Sequence, residues 1–151
     1  MEKNKIQLLD PKEPVPWDLL LLADPSKEMI QNYLSESQLL VYRLEEIVGV
    51  LVYQGISENE VEIKNLAVAP AYQNKKIASQ LLTAFFKEVR GNYQSAIVKT
   101  GDYPPIPLAL YQKFGFEIVE VQKDYFVLHY EEPIIEDGKQ LRDQIILRKE
   151  L

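Results

Sequence analysis

The chain has 151 residues, 46% of them hydrophobic and 26% charged. That globular mixture excludes an intrinsically disordered chain and suits about one domain, here an α/β domain over residues 1–151. It has no cysteine and one histidine, His129, which excludes disulfides, thiolate metal sites, a thiol nucleophile and an imidazole zinc cluster. The 17 basic and 23 acidic side chains leave a net charge of −6. With no basic stripe, that balance argues against nucleic acid and is compatible with a cationic substrate.

The first 14 residues are polar, and the longest apolar run near the start, Leu19–Ala23, lies between Asp18 and Asp24. Both facts argue against a leader or a membrane span, which needs about 18 apolar residues, so the expected address is cytoplasmic.

Ile6–Leu9 reads as a short strand, followed by a segment that Pro11, Pro14 and Pro16 keep extended or turned. Trp17–Ala23 reads as a short helix, and Ser26 caps a second one from Lys27 to about Leu34. Gln38–Leu44 and Ile47–Tyr53 form a hairpin around Glu45-Glu46. Val61–Val68 is a third strand whose alternation slips between Ile63 and Leu66, the signature of a bulge. After the polar loop Ala69–Lys76, residues Ala78, Leu81, Leu82, Phe85, Phe86 and Val89 recur at helical spacing through Ile77–Arg90, with Gly91 at its end. Ser95–Lys99 is a buried-type strand. Leu108–Phe114 is a short helix closed by Gly115, and Phe116–Val121 and Tyr125–Tyr130 read as strands. Pro133–Gly138 is an acidic turn, and Leu141–Leu147 a final strand. The order predicts one mixed α/β domain with a βαβ crossover at its centre.

The segment with most chemical content is VEIKNLAVAPAYQNKKIASQLL, residues 61–82. It is a strand, a polar loop and a helix whose first turn follows Gln73-Asn74-Lys75-Lys76. A helix N-terminus offers unpaired N–H groups and a positive dipole end, and the two lysines add charge, so a phosphate or pyrophosphate is the natural ligand. The bland alternative is two solvated lysines. No GxxxxGK[ST] or GxGxxG occurs, which excludes support for a P-loop NTPase or a Rossmann dinucleotide enzyme.

This stretch resembles the pyrophosphate-binding motif of the GNAT superfamily of acyl-CoA-dependent N-acetyltransferases. Leu66, Val68 and Pro70 match its L-x-V-x-P strand end, and Gln73 and Ala78 its Q/R-x-x-G-x-G/A loop. Ala109-Leu110-Tyr111-Gln112-Lys113-Phe114-Gly115-Phe116 matches the family's second block. The flanks, Leu19–Ser26, Asp124-Tyr125-Phe126, His129–Glu132 and Arg142-Asp143, look like a bacterial, minimal single-domain subgroup. Two positions depart from the pattern: Lys76 replaces the first motif glycine, and Tyr103-Pro104-Pro105 stands where an asparagine often holds the pantetheine end. A lysine amide at that place can still donate if its φ is negative.

The resemblance implies a mixed, mostly antiparallel sheet flanked by helices and splayed between Val61–Val68 and Ser95–Lys99 to hold acetyl-CoA as cosubstrate, with no metal. It implies cofactor binding by Leu66, Ala67, Val68, Gln73, Asn74, Lys75, Lys76, Ile77 and Ala78. It further implies direct acetyl transfer to a primary amine of a small molecule or peptide; a homodimer is compatible with it. Leu66 and Val68 would polarise the thioester through their main chain. Tyr111 aligns with the tyrosine that protonates the leaving thiolate, against a packing role. Glu62 aligns with a general base that often works through water, against a solvated place beside Lys64; Glu58, Glu60 and Glu117 are weaker candidates.

His129 reads as a pocket residue or as one hydrogen-bonded within a strand. Trp17, Tyr33 and Tyr53 read as a pocket floor or as core. Glu131, Glu132, Glu136 and Asp137 read as an amine attractor or a solvated turn. Two other functions fit the same residues: a non-catalytic acyl-CoA-binding regulator of this fold, and an interaction module contacting partners through its acidic tail.

Overall fold

A computed structural model describes residues 5–151; residues 1–4, where the polar N-terminal stretch begins, lie outside the described residues. The elements run β1 (Ile6–Leu8), α1 (Trp17–Ala23), α2 (Lys27–Leu34), β2 (Gln38–Arg43), β3 (Ile47–Gly55), β4 (Glu60–Val68), a 3₁₀ turn (Pro70–Tyr72) and α3 (Ile77–Val89). Then follow β5 (Ser95–Gly101), α4 (Pro105–Lys113), β6 (Glu117–Gln122), α5 (Tyr125–His129), β7 (Ile135–Glu136), β8 (Lys139–Gln140) and β9 (Gln144–Glu150).

Seven strands form one sheet in the order β1-β2-β3-β4-β5-β9-β6. Every neighbouring pair is antiparallel except β4 and β5, which the α3 crossover makes parallel. The larger core lies between the sheet and α3, where Leu81, Leu82 and Phe85 are fully buried against Leu51, Tyr53, Val61 and Ile63. The smaller core lies on the opposite face, where Leu19, Leu20 and Ile30 of α1 and α2 meet Val41, Val50, Val52 and Ala67. Gly49 lets α3 close onto β3: a Cβ there would stand 3.0 Å from Ile77 Cγ2 and 3.2 Å from Leu81 Cδ1.

The bulge expected in β4 is present. Val52 pairs with Asn65 and Tyr53 with Ile63, so Lys64 is the extra residue. The parting of the sheet is present too. β4 pairs with β5 only from Glu60↔Ser95 to Ile63↔Val98, although β4 continues to Val68 and β5 to Gly101. Beyond Ile63, β4 pairs with β3 alone.

Three expectations are corrected. Tyr125–Tyr130 is not a strand: Tyr125–His129 is a helix. Asp124 takes φ 56, its N–H donates to Asp143 Oδ1 at 2.9 Å, and its carbonyl accepts from Val127 and Leu128. Arg142 ion-pairs with the Asp124 carboxylate at 3.0 Å, so tertiary contacts override the β-favouring run. The final strand begins at Gln144 and not at Leu141, because the Asp143 carboxylate and the Arg142 side chain fix Asp124 while the Arg142 amide donates to Asp102. The acidic turn proves to be the tip of the β7-β8 hairpin, with Asp137 and Gly138 both at positive φ. In addition, α4 starts earlier than read, at Pro105, a position that suits proline because no N–H is required there.

Phe85 is fully buried, 5.3 Å centroid to centroid from Tyr53 and 5.4 Å from Phe86. Phe85→Ala is expected to lose about 3–5 kcal/mol of unfolding free energy. Leu128→Ala, at a side chain 75% exposed, is expected to stay within about 0.5 kcal/mol. Urea denaturation midpoints check both.

Candidate active site

The loop between β4 and α3 is built from residues that leave backbone N–H groups unspent. Tyr72 and Gln73 donate back to Ala69 and Pro70, and the Gln73 side-chain amide donates to the Val68 carbonyl at 3.0 Å. The amides of Asn74, Lys75, Lys76, Ile77, Ala78 and Ser79 have no acceptor among the described residues, and no side chain caps α3. Asn74 and Lys76 both sit in the left-handed region, at φ 63 and 64. Turns of this kind aim successive amides into a concavity that suits an anion. Gln73 through Lys76 are exposed, and Lys75 Nζ rests 5.7 Å from the Tyr72 ring centroid. Lys76 therefore does not meet the condition of a negative φ, and its amide is left without an acceptor in a left-handed turn instead. Lysine here adopts the glycine conformation of the motif it departs from, at a cost of about 1–2 kcal/mol.

Leu66, Ala67 and Val68 lie where β4 has left β5. Leu66 and Val68 turn toward α3, while Ala67 is buried on the α1 side. Glu62 is 6% exposed and is held by Lys64 Nζ at 3.0 Å, with Lys99 Nζ 4.0 Å from its other oxygen. It is thus a buried, ion-paired carboxylate rather than a solvated one. Glu60 is occupied by Ser95 and Arg148, and Glu58 and Glu117 are exposed.

Tyr111 of α4 is 6% exposed and packs edge-on against Phe116 at 5.8 Å. Its hydroxyl has no hydrogen-bond partner among the described residues, yet it is not among the sealed polar atoms, so it reaches accessible space. Burial pushes its pKa well above the usual phenol range, keeping it a protonated donor. No hydrogen bond joins Tyr111 to Glu62.

The remaining candidates divide. Tyr53 is core, edge-on to Phe85. Trp17 packs on the smaller cluster under Lys27, 4.8 Å from its ring centroid. His129 is exposed at the end of α5, its ring 4.4 Å from that of Tyr125. Glu131, Glu132, Glu136 and Asp137 are exposed. Tyr33 belongs to a polar cluster that sequence reasoning missed. Asn65, 4% exposed, donates from Nδ2 to the Leu20 carbonyl at 3.0 Å and to the Tyr33 hydroxyl at 3.2 Å. The Tyr130 hydroxyl donates to Asp24 Oδ1 at 3.0 Å. Asp24 had read as the residue that bounds the apolar run Leu19–Ala23 and as part of the flank Leu19–Ser26. The break in alternation at residues 63–66 was the one signal pointing at Asn65.

Lys76→Gly is expected to raise the unfolding free energy by about 1 kcal/mol, since relief of the left-handed strain exceeds the flexibility gained by the unfolded chain. Lys76→Ala retains the strain and should leave stability nearly unchanged. Equal stability of the two variants in urea would remove the strain argument.

Residues 35–118 match the family model of the acetyltransferase (GNAT) domain. Over its full length the chain is 37% identical to the uncharacterized N-acetyltransferase YvbK of Bacillus subtilis (strain 168), of which 99% is covered. The fold superimposes on the crystal structure of a GNAT family acetyltransferase from Elizabethkingia anophelis with acetyl-CoA bound, with a TM-score of 0.92, 39% identity, and coverage of 99% of this chain and 100% of that one. It matches the IAA acetyltransferase from Bacillus cereus ATCC 14579 with a TM-score of 0.90, 40% identity, and coverage of 97% and 98%. The chain belongs to the GNAT family of acyl-CoA-dependent acetyltransferases.

Proposed function

We propose that this enzyme transfers the acetyl group of acetyl-CoA directly to a primary amine of a small molecule or peptide, as one N-acetyltransferase domain over residues 1–151. The setting proposed is a bacterial cytoplasm, in keeping with the bacterial relatives. The carrying observation is the pair of features that meet at the end of β4: a strand that leaves its parallel neighbour, and a run of unspent amides at the start of α3.

In this reading the amides of Asn74 through Ala78 receive the pyrophosphate, and Lys75 and Lys76 add charge at the mouth. Gln73 acts through the loop, tying it to Val68. Leu66, Ala67 and Val68 line the parted strands, where main-chain N–H groups polarise the thioester carbonyl. The amine nitrogen forms a bond to the carbonyl carbon as the carbon–sulfur bond breaks. Tyr111, which burial keeps protonated, gives its proton to the departing thiolate. Glu62 takes the amine's proton through water. Transfer is direct, with no cysteine to carry the acetyl group.

CoA is expected to raise the melting temperature, by about 2.7 kcal/mol of linkage at 100 times its Kd. No shift at millimolar CoA would falsify the acetyl-CoA reading. Tyr111→Phe is expected to lower kcat and kcat/KM together, by about 10²–10⁴-fold, less where water supplies the proton, with CoA affinity unchanged. Because burial raises the Tyr111 pKa, turnover should not fall through tyrosine ionisation as pH rises toward about 10. Glu62→Gln should show a deficit at neutral pH that shrinks as rising pH deprotonates the amine unaided. A pH–rate profile of each variant checks these roles: wild-type rates return Tyr111 to packing, and a pH-independent deficit removes Glu62 as base.

A further inference from the structure

The partly buried carboxylates of this protein share a pattern with one exception. Among the described residues, Glu13, Glu60, Glu62, Asp124 and Asp143 are buried or half-buried, and each has a cation within 4.0 Å: Arg43, Arg148, Lys64, Arg142 and Lys123 respectively. Asp24 is half-buried and has none. Its Oδ1 accepts from the Ser26 N–H and the Tyr130 hydroxyl, both at 3.0 Å. Its Oδ2 takes no hydrogen bond among the described residues.

We propose that Asp24, with Tyr33, Asn65 and Tyr130, forms the acceptor subsite, and that the acceptor is a primary amine entering in its protonated, cationic form; one proton passes through water to Glu62 to free the lone pair for attack, and the second leaves the nitrogen as the amide forms and replaces the one Tyr111 gives to the thiolate. This rests on the acetyl-transfer reading above and names its substrate class. The four residues come from α1's end, α2, β4 and the end of α5, and they meet beside the bulged part of β4. Asn65 directly precedes Leu66, so the cluster adjoins the stretch along which the thioester is expected to lie. An ammonium there meets the free Asp24 oxygen, with the Tyr130 hydroxyl on the other oxygen and the Tyr33 hydroxyl held by Asn65. Asn65 Oδ1 is sealed from solvent, so Asn65 acts here through its Nδ2, which holds the Tyr33 hydroxyl in place.

The charges around the cluster support a cation. Tyr33 is pushed up to about 12, first by burial and further by the Asp24 charge, and Tyr130 is raised for the same reasons. Both hydroxyls therefore stay neutral, and Asp24 is the single charge among the four residues. Glu62 is a poor rival for an ammonium, because Lys64 holds it and Lys99 stands at its other oxygen. Burial also raises the Asp24 pKa. A group shifted this way adds stability below its unfolded pKa and loses that contribution as pH rises through its folded one. At pH 7 its charge is thus a cost to folding that a bound cation offsets.

The test uses n-butylamine as probe, with n-butanol and butyrate as its neutral and anionic counterparts, on wild type and Asp24→Asn saturated with CoA. Asparagine keeps the shape and the Oδ1 acceptor while removing the charge. Wild type should show saturable thermal stabilisation by n-butylamine alone among the three, and Asp24→Asn should lose it. In acetyl-CoA turnover the variant should raise the KM for n-butylamine about 10–100-fold, with kcat within a few-fold. The ligand-free variant should melt at pH 7 no lower than wild type. Stabilisation by n-butylamine that survives in Asp24→Asn, or that is no greater than that by butanol in wild type, overturns the proposal. So does a variant that melts lower and loses its CoA response, which makes Asp24 structural. Failure of CoA itself to stabilise wild type is a separate result, which removes the acetyl-CoA reading and this subsite with it.

Discussion

Lys64 is an insertion in the ladder between β3 and β4, with Val52 paired to Asn65 and Tyr53 to Ile63. Were Lys64 to pair as a regular ladder residue, without the bulge, strict alternation would place Asn65 and Ala67 on the face of Val61 and Ile63, inside the α3 core, and turn Leu66 and Val68 away. With it, Leu66 and Val68 join the α3 cluster, while Asn65 and Ala67 face α1. A bulge also increases local twist and bends its strand. The β4-β5 ladder ends at Ile63↔Val98, immediately before the inserted residue. The bulge thus keeps the core pattern past the extra residue, falls where the two strands part, and sets Asn65 against Tyr33 and Leu20.

How far these features could be read beforehand follows from how local each one is. The bulge was visible because a two-residue period slipped within a single strand. Helix α3 was visible because six apolar side chains kept a 3.6-residue period, and all but Ala78 are buried. The anion loop was visible as residue types in a short motif, but the backbone angle of Lys76 was not. A lysine's own preference is for negative φ, and the residue types of the loop do not reveal the left-handed turn at Lys76. Residues 125–130 misled because a short apolar, aromatic run does not distinguish strand from helix. What decided it was Asp143 and Arg142, about 18 residues further along, holding Asp124. The Asp24 cluster was the least legible. Its members are separated by up to 106 residues in the chain, and each has an ordinary local role, as turn, helix face or strand residue.

The distribution of charge resolves an apparent conflict between an acidic chain and a polyanionic cosubstrate. At physiological ionic strength charges beyond about 8 Å are largely screened, so the net −6 weighs less than the groups lining each mouth. The end of β4 and the start of α3 carry Lys75, Lys76 and a row of amide dipoles, and Lys64 with Lys99 outnumbers the one carboxylate between them. On the α1 side of the same strand, the carboxylate of Asp24 has no such company. In the reaction proposed above, the anionic donor would be drawn to the start of α3 and a cationic acceptor to the Asp24 carboxylate. The proposed reaction would join the two at the end of β4, beyond Ile63, where β5 no longer pairs with it.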